Sequence, residues 1–150
     1  MLSLIRTNSS NKDFHELVTL LDADLRIRDG EEFSFFTQFN KLENINYVVV
    51  AYVHDQPTGC GAIKEYAKDI AEIKRMFVHP AFRKQGIASA VLKELEAWAK
   101  DLGFTNCILE TGIRQPEAIA LYKKCGYSII SNYGQYENVE SSVCMKKSIE

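Results

Sequence analysis

Residues Arg83-Lys84-Gln85-Gly86-Ile87-Ala88-Ser89 place two adjacent cations and a glycine at the opening turn of a strongly amphipathic segment. The first NH groups of a helix have no intrahelical partner, and the helix dipole concentrates partial positive charge there. A phosphate suits that end. Gly86 removes the side chain that would hold an anion away from the backbone. Arg83 and Lys84 add charge, and a guanidinium can hold two phosphate oxygens at once. Ala88 and Ser89 are small and keep the approach open. Together these residues suit a diphosphate. Taken alone, the hexapeptide from Arg83 to Ala88 also fits a basic, solvated helix start, so its context has to decide. It is not a P-loop, because no Gly-x-x-x-x-Gly-Lys-[Ser/Thr] occurs. A single glycine also falls short of the dinucleotide fingerprint.

The elements that must position this loop are legible from periodicity. "IAEIKRMFV", 70–78, is expected as a strand in which Ile73 alternates with Glu72 and Lys74, as in a half-buried sheet. After the loop, Ile87, Val91, Leu95, Trp98 and Leu102 share one helical face, and Gly103 suits the left-handed position beyond its end. "FTNCILET", 104–111, is the next strand. Pro116 opens a further helix with Leu121, Tyr122 and Cys125, and Gly126 closes it. Upstream, "LSLIR", 2–6, reads as a strand, and Ser10-Asn11-Lys12-Asp13 has the form of a capping box before a helix. Gly30 breaks that helix, and "EEFSFFTQFN", 31–40, suggests a short second one. "NYVVVAYVHD", 46–55, and "CGAIKEYA", 60–67, form a hairpin turning at Pro57-Thr58-Gly59. "YSIISNY", 127–133, and "SSVCMKK", 141–147, finish the chain as strands. The expectation is a single mixed α/β domain over 1–150, with about seven strands and four helices.

Composition excludes several classes. The net charge of −2 argues against a general nucleic-acid or membrane-surface binder. The longest apolar runs are too short to cross a bilayer, and the N-terminus lacks a signal-peptide core, so a cytoplasmic protein is expected. Cys60, Cys107, Cys125 and Cys144 have no metal or disulfide spacing and read as free thiols. His15, His54 and His79 are scattered, so no metal site is expected.

Context raises the loop above a chance match. "EIKRMFVHPAFRKQGIASAVLKELEAWAKDLGFTNCILETG" followed by "PEAIALYKKCGY" closely resembles the GNAT superfamily of N-acetyltransferases. The resemblance is strong over residues 72–127 and elsewhere rests on element order. It implies a mostly antiparallel, twisted sheet whose central strands splay apart. It implies acetyl-coenzyme A as cosubstrate, with its pyrophosphate held by backbone NH groups from about Gln85 to Ser89, Ile87 and Ala88 included, and by Arg83 and Lys84. The pantetheine arm would enter the splay and pair with the backbone at Met76, Phe77 and Val78. An NH near Val78 would stabilise the charge developing on the thioester oxygen.

Acetyl transfer to an amine needs an unprotonated nucleophile and, for the leaving thiolate, a proton donor. The resemblance makes Tyr122 that donor. Glu72, four residues before Met76, is the candidate base, with Glu110 on the facing strand as second candidate; water could also take the proton. Where many relatives have Asn seven residues before the tyrosine, this chain has Gln115, which offers the same amide groups on a longer stem. The acceptor site of such folds is built from the first two helices and the last hairpin. Here residues 22–36 hold Asp22, Asp24, Asp29, Glu31 and Glu32 beside Phe33, Phe35 and Phe36, and Tyr133 and Tyr136 come from the C-terminal hairpin. Glu32, Phe36, Glu110 and Tyr136 are the candidate acceptor contacts. An acidic, aromatic mouth favours a cationic amine. The expected reaction is transfer to a primary amine of a small molecule by direct attack in a ternary complex. A protein lysine or N-terminus, or a silent acyl-CoA-binding module, are the alternatives. Either a monomer or a homodimer is expected.

Overall fold

The computed structural model describes residues 1–29 and 45–150. Among the described residues, the strands and α-helices follow in the order β1 (Leu2–Thr7), α1 (Lys12–Asp29), β2 (Tyr47–Val53), β3 (Gln56–Ala67), β4 (Ile70–Val78), α2 (Ile87–Asp101), β5 (Asn106–Gly112), α3 (Pro116–Lys124), β6 (Ser128–Ile130) and β7 (Ser142–Ser148). The expected helix over 31–40 and the Gly30 break lie outside the described residues.

The seven strands form one sheet in the order β1-β2-β3-β4-β5-β7-β6. Every neighbouring pair is antiparallel except β4 and β5. A parallel pair needs a crossover, and α2 supplies it. That pairing is short: Ile70, Ala71 and Glu72 face Asn106, Cys107 and Ile108, and it ends there. Beyond it β4 keeps β3 as partner out to Val78, while β5 follows β7. The two central strands therefore diverge from Glu72 onward, as the resemblance implied.

Helices cover both faces. On one, Ile87, Val91, Leu92 and Leu95 of α2 pack over Val49, Ile63, Ala71 and Ile73. On the other, Phe14, Leu17, Val18 and Leu21 of α1 meet Val48, Val50, Ala62 and Phe77. Gly61 lets α2 sit close to β3: a Cβ there would lie 2.5 Å from Met76 Sδ and 2.8 Å from Leu95 Cδ1. Gly103 and Gly126 adopt the left-handed conformations expected beyond α2 and α3, with φ of 96° and 99°. Leu102 caps α2 and is 40% exposed, so it leaves the apolar face its spacing assigned to it.

Three local expectations are corrected. The β2–β3 hairpin turns at His54-Asp55, both with positive φ, and Pro57-Thr58-Gly59 belongs to β3. A two-residue loop with left-handed backbone suits the twist of a hairpin, and Asp and His tolerate that region better than most residues. At α1, Asn11 is the capping side chain: its Oδ1 accepts the Phe14 NH at 2.9 Å, one residue later than Ser10 would have done. Finally, β4 is not half-buried. Glu72, Lys74 and Arg75 are buried along with Ala71, Ile73 and Phe77, because the strand is central and covered on both faces.

Candidate active site

The register between β3 and β4 slips within the site. Cys60 pairs with Phe77, but Ala62 pairs with Lys74, so β4 spends one extra residue there. Such a bulge re-aims side chains. Arg75 absorbs it with φ of 56°, a left-handed conformation rare for a long side chain. The guanidinium reaches α1, where Nη2 donates to Asp22 Oδ1 at 2.5 Å. Its Nε is buried with no partner among the described residues.

Where β4 and β5 part, a groove of about 520 Å³ opens. Met76, Phe77 and Val78 of β4 form one wall, and Gln115, Ala118, Leu121 and Tyr122 of α3 line the other side. Arg83, Lys84, Gly86, Ile87, Ala88 and Ser89 line its end. Gly86 is the N-cap of α2 with φ of 78°, and no side chain caps the helix. A Cβ on Gly86 would meet nothing within 4 Å, so the helix mouth is open. Gln85 is exposed and does not line the groove. Arg83 folds back, its Nε donating to the Val78 carbonyl at 3.0 Å and its guanidinium over the Phe77 ring at 5.6 Å. The loop's shape is held by His79, whose Nδ1 accepts the Ala81 NH at 3.1 Å.

Met76, Gln115, Ala118 and Tyr122 also line a second, smaller cavity of about 110 Å³. Glu72, Lys74 and Arg75 of β4, Glu110 and Thr111 of β5, and Tyr136 line the rest with Leu21 and Leu25 of α1. Glu72 is 6% exposed and accepts the Tyr133 hydroxyl at 2.6 Å. It is not the solvated strand residue that alternation suggests. Glu110 Oε2 accepts the Ser142 hydroxyl at 2.7 Å. Desolvation lowers the Lys74 pKa, against the opposing pull of Glu72 and Glu110. Tyr122 is 7% exposed, and its ring meets Tyr127 edge-on at 5.9 Å. Burial, with smaller contributions from Cys125 and Glu110, raises its pKa well above the ordinary phenol value, so the hydroxyl keeps its proton. Tyr133 is raised by burial and then by Glu72, and Tyr136 by burial and then by Glu110. Burial pushes the Cys60 and Cys107 thiols up to about 12, which leaves them packed and unreactive.

Glu72, Met76, Glu110, Gln115, Tyr122 and Tyr136 thus come together from four regions of the chain. Glu32 and Phe36 lie outside the described residues. Lys74 and Arg75 were not singled out from sequence. Two adjacent cations in a strand whose other residues, Glu72 aside, are apolar were the available signal. A groove between diverging strands thus runs from an uncapped helix N-terminus to a cavity lined by ionisable side chains. The acetyltransferase (GNAT) family model matches residues 14–127, and the chain belongs to that family.

An IAA acetyltransferase of Azospirillum brasilense is 38% identical over 90 residues, covering 59% of each chain. Human N-acetyltransferase 8 is 38% identical over 56 residues, covering 37% of this chain and 25% of its own. The chain spans about half the length of several curated relatives it matches. A proposed acyl-CoA N-acyltransferase structure from Klebsiella pneumoniae superposes with a TM-score of 0.84 at 26% identity, over 100% of this chain and 99% of that one. The Thermoplasma acidophilum PaiA N-acetyltransferase, solved with coenzyme A, shares the fold with a TM-score of 0.73 at 17% identity over 99% of both chains. No helix among the described residues is long and apolar enough to cross a membrane.

Proposed function

We propose that the protein is an N-acetyltransferase that moves an acetyl group from acetyl-CoA to a primary amine of a small molecule, by direct attack in a ternary complex. One observation carries this most: β4 and β5 separate after Glu72 and Ile108, and the uncapped mouth of α2 opens onto the same groove. The open space at Gly86 suits a pyrophosphate. The NH groups of Ile87, Ala88 and Ser89 hold it, with Lys84 and Arg83 adding charge. The β4 backbone from Met76 to Val78 has no β5 partner, and it offers the pantetheine amides a strand to pair with. Gln115 contributes its amide from the start of α3.

The acceptor enters through the smaller cavity and loses its proton to Glu72, or to Glu110. Tyr133 holds the Glu72 carboxylate in place through its hydroxyl. Attack on the carbonyl carbon forms the C–N bond, a β4 NH stabilises the oxyanion, and the C–S bond breaks. Tyr122, kept neutral by burial, gives its proton to the leaving thiolate and regains one from the nucleophile side or solvent. The test is release of free coenzyme A thiol against amines, amino acids, polyamines and peptides. Turnover on a small amine supports the proposal. Turnover on peptides alone replaces it with a protein acetyltransferase, and coenzyme A binding without turnover replaces it with a silent binding module.

A further inference from the structure

The smaller cavity carries charge of both signs. Glu72 and Glu110 line it from β4 and β5, and Lys74 and Arg75 line it from β4. The Arg75 side chain is buried and its Nη2 is committed to Asp22, so that its charge already has a partner. Lys74 is the neighbouring cation, buried at the cavity wall and electrostatically coupled to both carboxylates. Each carboxylate already accepts one hydroxyl, from Tyr133 and from Ser142. A second ammonium placed on the Lys74 side of the cavity would meet that buried cation, with little water to screen it. An amine that also carries a carboxylate would match both signs. Its ammonium would lie toward Glu72 and Glu110. Its carboxylate would give Lys74 an added counter-charge, offsetting the desolvation that lowers this lysine's pKa.

We propose that the acceptor is an amino-acid-type zwitterion, a small primary amine bearing a carboxylate that Lys74 recognises. The proposal rests on the acetyltransferase reading and narrows its substrate class. It makes Lys74 a specificity-determining residue, while the base remains a carboxylate.

The experiment compares matched acceptors on the wild-type protein: free amino acids, their carboxamides, and the corresponding amines lacking the carboxylate. Turnover is read as coenzyme A thiol release, and coenzyme A binding is measured separately by calorimetry. The free acid should exceed its carboxamide in kcat/KM by about tenfold or more, the size of one charge-assisted contact. Lys74→Met should bring that ratio close to one, whereas Lys74→Arg should keep most of it. The matched comparison on wild-type protein stands even if Lys74→Met fails to fold. Carboxamides or plain amines used as well as the acids overturn the zwitterion proposal and leave the acetyltransferase reading intact. An acid preference that survives in folded Lys74→Met also overturns it. Coenzyme A binding with no turnover on any amine removes the acetyltransferase reading, and this proposal with it.

Discussion

Tyr122→Phe separates chemistry from binding and from folding better than any other substitution in this site. The Tyr122 ring is 7% exposed and packs edge-on against Tyr127, and both features survive removal of one oxygen. No hydrogen bond from its hydroxyl to a described residue holds the fold together. Stability should therefore change by less than about 1 kcal/mol. Coenzyme A affinity should hold within about twofold, because the proposed diphosphate site lies at the α2 mouth, at the end of the groove away from the Tyr122 hydroxyl. Turnover should fall by about 10²-fold, the lower end of what a positioned general acid supplies and equal to about 2.7 kcal/mol of barrier. Burial keeps the phenol protonated, so wild-type activity should show no loss attributable to Tyr122 as pH rises through the range below 10. The assay is steady-state thiol release at saturating acetyl-CoA, with calorimetric titration of coenzyme A and a thermal melt on the same preparation. Unchanged kcat in a folded variant would remove Tyr122 from the mechanism. A matching loss of kcat and coenzyme A affinity would make it a binding residue instead.

Gly86→Glu should abolish detectable coenzyme A binding while the protein still folds: a Cβ meets nothing there, yet the carboxylate faces the intended phosphates. Its left-handed φ costs about 1–2 kcal/mol for any side chain, so Gly86→Ala is the control that bears the strain without the charge, and equal affinity in both refutes the assignment. Gly61→Ala should lower stability by about 1–3 kcal/mol in chemical denaturation, because the new methyl meets Met76 Sδ, Leu95 and Val91; an unchanged midpoint would mean α2 can move away freely. Asp22→Asn leaves the Arg75 guanidinium buried without its counter-charge, and should cost about 2–3 kcal/mol in the same assay, less than a fully enclosed pair because the Asp22 side chain is 41% exposed. Stability unaffected by that change would show that Arg75 relaxes to another partner.

The parts of this fold that were legible in the sequence are those whose signal is local. The face of α2 repeats at helical spacing, Gly103 and Gly126 mark left-handed stops, and the loop from Arg83 to Ser89, read in its context, pointed to the open helix mouth that the structure has at Gly86. The β2–β3 turn was misplaced because Pro57-Thr58-Gly59 outweighed His54-Asp55 on turn preference, yet hairpin twist chose the two residues that leave β3 longest. The site's polar interior was hidden for a different reason. Tyr133 and Glu72 are 61 residues apart, and Arg75 and Asp22 are 53 apart. No periodicity links such positions, and only the sheet order together with the packing of α1 and the β6–β7 connection against it brings them together.

Alternation along β4 pointed to charged residues facing solvent, and that inference failed where the strand is most unusual. Burying Glu72, Lys74 and Arg75 side by side costs several kcal/mol per charge before pairing offsets it. A central strand built only for stability would carry valine or isoleucine at these positions. Arg75 adds backbone strain through its left-handed φ and leaves Nε without a partner. These costs fall together within the four positions from Glu72 to Arg75, immediately before the residues that line the groove. Sequences break local rules in this way where the geometry serves a site. The bulge at Arg75 follows the end of the β4–β5 pairing at Glu72, and the Arg75–Asp22 pair ties this part of β4 to α1. The end of the β4–β5 pairing, the bulge and the buried charges thus all fall within residues 72–78, where β4 turns from sheet core to groove wall.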